Sequence, residues 1–174
     1  MNSGAAVLWL TGISGAGKTT IAHAVQRRLL EAGRLTLVLD GDELRHGLCS
    51  DLGFSHQDRS ENVRRAGEVA RLLFDQRAVV VCAFVSPYRN DRARVRALLP
   101  PGRFLEVFVK ADVETCRARD PKGLYARADA GGLDQFTGVS APYEEPVEPE
   151  LVVDTRELSV EQATDRVMGL LNVP

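Results

Sequence analysis

The sequence predicts an α/β fold, a five-stranded parallel sheet with helices on both faces and one lid segment, forming a single domain over residues 1–174. Three observations predict it. Short apolar runs alternate with amphipathic stretches along most of the chain, the order that produces parallel strands joined by crossover helices. One run, at 78–85, is apolar at nearly every position, as in a strand buried on both faces. A Gly-rich turn also separates the first run from the first amphipathic stretch.

The elements follow in order. Residues 5–10 form a short apolar strand ending in Thr-Gly. Residues 17–32 carry Ile21, Ala22, Val25, Leu29 and Ala32 on one helical stripe, with Gly33 as the stop. A second strand at 35–39 runs into Asp40. A helix at 61–74 points Val63, Ala66, Val69, Ala70 and Leu73 inward and its arginines outward. The strand at 78–85 follows, then a helix at 92–99 stopped by Pro100 and Pro101. A strand at 104–109, a short helix at 113–118, a strand at 151–153 and a helix at 160–171 complete the alternation. The stretch from about 120 to 150 is rich in Gly, Pro and polar residues, the expected composition of a lid or binding loop.

Composition narrows the function classes. With 174 residues, 44% hydrophobic and 26% charged, the chain is long enough for one real core and unlike a disordered or collagenous sequence. A net charge of -2 gives no support to general nucleic-acid binding. The 22 basic residues are nineteen Arg and three Lys. They are distributed unevenly: residues 27–103 hold fourteen basic against ten acidic side chains, and residues 128–174 hold two against ten. Cys49, Cys82 and Cys116 form no C-x-x-C pair, so neither a zinc site nor a disulfide framework is expected. The start, Met-Asn-Ser-Gly-Ala-Ala, lacks the pattern of a secretory leader, and no apolar run is long enough to span a bilayer. A cytoplasmic location, with no membrane partner, is the expectation.

Residues 12–19, GISGAGKT, match G-x-x-x-x-G-K-[ST] at every fixed position, after a strand and before a helix. Its glycines let backbone N–H groups curl around phosphate oxygens, and the helix N-terminus adds partial positive charge. Lys18 is expected to bridge the terminal phosphates of a nucleoside triphosphate, with the Thr19 hydroxyl on Mg²⁺.

The strand ends opposite carry the acceptor chemistry, because parallel sheets open their ligand crevice at the carboxyl ends. Asp40, at the end of the second strand, either accepts a proton and positions Mg²⁺ or caps the following turn. Asp42 is open between a cap and a site role. Ser86 ends the third strand with Arg89 and Arg92 following. Phe54 reads equally as the hydrophobic staple of a helix beginning near Ser55 and as a ring for a base beside Arg45 and Arg59.

The strings GISGAGKTT, LDGDELRHGL, DLGFSHQDRSENVRRAGEVA, FVSPYRNDR, RDPKGLY and FTGVSAPYEEP, in this order, resemble the adenylylsulfate kinase family over essentially the whole chain. The resemblance implies a P-loop kinase fold and transfer of the ATP γ-phosphoryl group to the 3′-hydroxyl of adenosine 5′-phosphosulfate (APS). It implies Mg²⁺, a homodimer and functional coupling to ATP sulfurylase. By position, Gly12, Ser14, Gly15, Ala16, Gly17, Lys18, Thr19 and Thr20 match the ATP-binding residues, with Arg119 a candidate for packing on the ATP base. Asp40 matches the family's proposed catalytic carboxylate, and Thr19 and Asp40 the metal contacts. Arg45, Phe54, Arg59, Asn62, Val85, Lys122 and Phe136 match the acceptor site. Ser86 matches a serine that some bacterial members phosphorylate, and by the same resemblance it is expected beside Asp40 and Lys18 among the catalytic residues and, with Asp40, in the acceptor site.

Two departures accompany the match. The chain begins almost at the first strand, where many members carry a basic segment; the expectation is open between reduced dimer or lid contacts and a complete compact member. Asp129 and Asp134 lower the positive charge of the lid, so Asp129→Arg is expected to lower the acceptor KM. Two alternatives remain at this level: another small-molecule P-loop kinase, and a non-catalytic nucleotide-binding regulatory module.

Overall fold

In the computed structural model, which describes residues 4–171, five parallel strands line up in the order β2-β3-β1-β4-β5. They are β1 (Ala6–Thr11), β2 (Thr36–Asp40), β3 (Val79–Ala83), β4 (Phe104–Lys110) and β5 (Leu151–Asp154). The register is direct: Leu8 stands opposite Val81 of β3 and Leu105 of β4. Residues 1–3 of the start inspected for a leader, and the last three of the expected domain, lie outside the described residues. No helix among the described residues is long and apolar enough to cross a membrane.

Strand alternation builds two cores. Leu8 and Leu10 face one side of the sheet, where α1 (Lys18–Glu31) packs Ile21, Ala22, Val25 and Leu29, and α7 (Val160–Leu170) packs Ala163, Val167 and Met168. Val7 and Trp9 face the other, against Val63, Ala66 and Ala70 of α3 (His56–Asp75) and Val95 of α4 (Arg89–Arg96). Each fully buried Val or Leu contributes about 1.5–3 kcal/mol, so β1, buried at all six positions, anchors both layers. Cys49, Cys82 and Cys116 are free and buried, as small apolar residues would be.

The differences from the sequence expectation lie at element ends and in short helices. α3 begins at His56, five residues early, because the Ser55 hydroxyl accepts the Asp58 N–H at 3.1 Å and starts a first turn that carries no apolar stripe. β3 stops at Ala83, since Ser86 adopts a left-handed φ of 39° and ends the extended run. α4 begins at Arg89, whose N–H is accepted by the Glu144 carboxylate at 2.8 Å. That acceptor lies 55 residues away in sequence. Two short helices were not expected. The first, α2 (Gly41–Arg45), is capped by Asp40. The second, α6 (Leu124–Asp129), lies inside the lid, with Asp120 accepting from the N–H groups of Tyr125 and Ala126. The expected helix after β4 is α5 (Val113–Arg119), capped by Asp112.

Candidate active site

The turn after β1 is forced by contacts as much as by glycine. A Cβ on Gly12 would stand 2.3 Å from the Val109 carbonyl oxygen of β4, so the strand can be approached only by glycine. Gly17, the N-cap of α1, has φ 105°, the left-handed region that turns the chain into the helix. Its successor amides open a fourteen-residue helix pointing into the cleft, a ready seat for phosphate. Lys18 folds over the loop and donates to the carbonyls of Gly12 at 2.7 Å and Ile13 at 2.9 Å. Burial brings its ammonium down from 10.5 to about 8, with Lys122 adding repulsion and Cys116 and Asp40 partly opposing it.

Beside the cradle, Thr19 donates its hydroxyl to Oδ2 of Asp40 at 2.6 Å. The other carboxylate oxygen accepts the Asp42 N–H at 2.9 Å. Asp40 therefore both caps α2 and faces the cradle; the two alternatives are one geometry. The Asp42 carboxylate pairs instead with Lys122 across the cleft.

On the acceptor side the Phe54 ring lies half-exposed between two guanidinium groups, with Arg45 at 4.3 Å and Arg59 at 5.5 Å from its centroid. Arg59 stands at N4 of α3, where a hydrophobic staple would place an apolar side chain, so Phe54 meets a guanidinium there and serves as a cleft wall. Arg45 donates to the carbonyls of Leu52 and Gly53, and Arg59 to those of Phe54 and, at 2.6 Å, Gln135 of the lid. Burial lowers the pKa of both arginines from their ordinary value, yet far from deprotonation. Phe136 sits edge-on to Tyr125, with ring centroids 4.8 Å apart. Asn62 and Thr137 are buried, and their Nδ2 and Oγ1 atoms have no hydrogen-bond partner. An orphaned pair of this kind in a cleft wall is unusual and asks for a ligand.

Ser86 lines the cleft, but its hydroxyl is committed elsewhere. It accepts from Trp9 Nε1 at 3.0 Å and donates to Thr11 at 3.0 Å, and Thr11 also contacts the Tyr143 hydroxyl. The same hydroxyl holds a left-handed turn whose backbone strain costs about 1–3 kcal/mol.

Every site residue expected from the sequence, Gly12 apart, lines one cleft of about 710 Å³, Val85, Thr20, Lys122 and Arg119 among them. Arg119 is held by the Thr155 hydroxyl at 2.9 Å and carbonyl at 2.7 Å. Sequence reasoning missed Thr155, whose hydroxyl also donates to the Ala16 carbonyl at 2.9 Å, and Leu158, Val160 and Ala163, which close the wall beyond Arg119. It missed Tyr125 too, whose hydroxyl donates to the Ser14 carbonyl at 2.7 Å and braces the loop from the lid. Thr137 lies within the FTG string and could have been named from it. The Asp129 expectation also changes. Its carboxylate pairs with Arg117 of α5 at 2.5 Å, outside the cleft, whereas Asp134 lines the cleft. An arginine at 129 would face Arg117, so the lowered acceptor KM is not expected there.

A family model described as adenylylsulphate kinase matches residues 4–154. The adenylyl-sulfate kinase of Geotalea uraniireducens is 57% identical over 162 residues, covering 93% of this chain and 78% of that protein. The Mycobacterium tuberculosis APS kinase, solved in complex with AMPPNP and APS, superposes with a TM-score of 0.93 at 42% identity, covering 97% of this chain and 98% of that one. A hexameric APS kinase from Thiobacillus denitrificans gives a TM-score of 0.71 at 36% identity, covering 95% of this chain and 28% of that one.

Proposed function

The chain belongs to the adenylylsulphate kinase family, and we propose that its cleft seats ATP on the residue 12–19 loop and APS between Phe54 and Phe136. The enzyme phosphorylates the 3′-hydroxyl of APS with ATP, giving 3′-phosphoadenosine 5′-phosphosulfate and ADP. The observation that carries the assignment of the halves is the orphaned pair, Asn62 and Thr137, in the wall farthest in character from the phosphate cradle. A purine edge and a ribose supply the acceptors and donors these groups lack.

Phosphoryl transfer needs alignment and charge neutralisation more than covalent help. Loop amides and Lys18 hold the β- and γ-phosphates. Arg45, Arg59 and Lys122 hold the phosphosulfate, and the rings of Phe54 and Phe136 fix the adenine. Asp40 accepts the proton of the 3′-hydroxyl. Arg119 packs on the ATP base, with Leu158 and Ala163 beyond it. Thr19 and Asp40, with oxygens 2.6 Å apart at the cradle, fit Mg²⁺, which is held by few hard oxygen ligands plus phosphates. When bound, Mg²⁺ neutralises charge on the transferring phosphoryl group. The segment from about 120 to 150 acts as a lid that excludes water.

The chain acts as a single domain in the cytoplasm, as a homodimer, with ATP sulfurylase as the functional source of its acceptor. The test is transfer of labelled γ-phosphate from ATP to APS by wild type and Asp40→Asn, with adenosine 5′-monophosphate as the control acceptor. APS-dependent label transfer that collapses in the variant is expected. A wild type that binds ATP yet labels no APS would point to the regulatory-module alternative.

A further inference from the structure

One buried side chain outside the cleft joins two walls of its acceptor half. Arg92 of α4 is only 2% exposed. Its Nε donates to the Glu106 carboxylate of β4 at 2.6 Å, which balances its charge. Its two remaining nitrogens face backbone: Nη1 donates to the Ser86 carbonyl at 2.6 Å and Nη2 to the Glu144 carbonyl at 2.8 Å. Ser86 belongs to the left-handed turn that places Val85 and Pro87 in the cleft wall. Glu144 belongs to the segment leaving the lid, eight residues after Phe136, and its own N–H donates to the Pro87 carbonyl at 2.8 Å. The turn and the lid exit are thus clipped together twice, once directly and once through the guanidinium. None of these contacts reaches the phosphate cradle.

We propose that Arg92 is a positioning residue for the acceptor: its planar fork fixes the turn at residues 85–87 and the rear anchor of the lid in one geometry, so that the acceptor seat depends on it and the ATP seat does not. The proposal rests on the assignment of this half to APS. Only a bidentate, planar cation satisfies a carboxylate and two carbonyls lying in different directions; a lysine ammonium, compact and on a narrower stem, keeps the charge and loses the fork.

Trp9 supplies a reporter, because it is the single tryptophan and its indole N–H donates to Ser86. The experiment compares wild type with Arg92→Lys, measuring KM for APS and for ATP and the Trp9 indole N–H resonance. The expected result is a rise of about tenfold or more in the APS KM, an ATP KM within about twofold, and a displaced indole resonance, since two charge-assisted bonds are lost. Arg94→Ala, an exposed neighbour on the same helix, should leave all three unchanged. If Arg92→Lys does not fold, the charge-free pair Arg92→Gln with Glu106→Gln removes the fork without stranding a buried carboxylate, and the same split is expected. Two KM values that rise together, or an APS KM that does not move in a folded variant, overturn the proposal. A wild type inert towards APS overturns the functional assignment, and this proposal with it, which is a distinct result from an active wild type with an indifferent variant.

Discussion

The two halves of the cleft are built differently. The backbone of the donor half is braced from behind by groups that no ligand needs: the Val109 carbonyl against Gly12, the Tyr125 hydroxyl on Ser14 and the Thr155 hydroxyl on Ala16. Lys18 alone of its loop's side chains holds loop carbonyls that it would exchange for phosphate. The acceptor half holds itself together with the same groups that would hold an anion. Arg45 and Arg59 donate to loop and lid carbonyls, and Lys122 pairs with Asp42. On the proposed assignment APS exchanges partners with the protein as it binds, and part of its interaction energy offsets the contacts it displaces. A preformed cradle beside an adaptable acceptor seat is a direct way to couple acceptor binding to lid position.

The largest expected effects break the donor half at its two charged groups. Lys18→Ala removes the only ammonium the loop can aim at the terminal phosphates, and a loss of about 10³-fold in kcat is expected from the cost of deleting one such stabilising group. Asp40→Asn keeps the shape and the cap on Asp42 but removes the negative charge beside Thr19, with an expected loss of about 10²–10³-fold. Single-turnover label transfer measures both; an Asp40→Asn enzyme within tenfold of wild type would leave Asp40 as a cap alone.

Breaking the acceptor half should change KM rather than kcat. Arg59→Ala deletes one charge-assisted contact and the lid bond to Gln135 together, and a rise in the APS KM of about 10–100-fold follows from about 1.5–3 kcal/mol per contact. Arg45→Ala, which touches no lid residue, should cost less than Arg59→Ala. Equal effects from the two would remove the lid from the argument. The ATP KM should stay within about twofold in both.

These asymmetries also decide what the sequence could reveal. Period and apolar runs were enough for the sheet, because β1, β3 and the stripe of α1 are dictated by local pattern. The loop and the DGD, FSHQDRSEN, SPYR, KGLY and FTG strings were enough to name about half of the residues lining the cleft. What stayed hidden depends on groups far apart in sequence. The start of α4 takes its acceptor from Glu144, α6 is six residues and too short to show a stripe, and Thr155 and Tyr125 act by touching loop carbonyls. The bonds of the Ser86 hydroxyl to Trp9 and Thr11 were hidden for the same reason, since those partners lie 77 and 75 residues away in sequence.

A pH titration sharpens the comparison, because burial in the donor half brings Lys18 down to about 8. The unfolded chain keeps its Lys18 proton up to about 10.5, while the ligand-free folded chain releases it near about 8. Between those values the unfolded state binds more protons, so the contribution of Lys18 to stability rises with pH through that window. Below about 8 the cost of the buried charge is fully present. Phosphates favour the protonated form, so ATP binding at pH 8 should take up about half a proton, and ATP affinity should fall by up to about tenfold per pH unit above it. Calorimetry in two buffers of different ionisation enthalpy measures the uptake. Lys18→Met should abolish it, and zero uptake by wild type would separate Lys18 from the phosphates.

The smallest effect should come from the contact between Lys122 and Asp42 in the acceptor half. Lys122 and Asp42 form an exposed pair, with side chains 48% and 56% accessible. Exposed pairs are worth about 0–1 kcal/mol, so releasing Lys122 by Asp42→Asn should favour its capture by the phosphosulfate and lower the APS KM by no more than about fivefold. The backbone N–H of residue 42 still donates to Asp40, so α2 keeps its cap and kcat should be unchanged. Salt separates this account from a simple loss of negative charge near an anionic ligand. If the pair competes with APS, the advantage of Asp42→Asn disappears in the Lys122→Ala background at every ionic strength. If Asp42 only repels APS at a distance, the advantage survives without Lys122 and fades as salt screens it over a Debye length of about 8–10 Å. An APS KM that rises in Asp42→Asn would mean that the carboxylate positions Lys122 for the acceptor instead of withholding it.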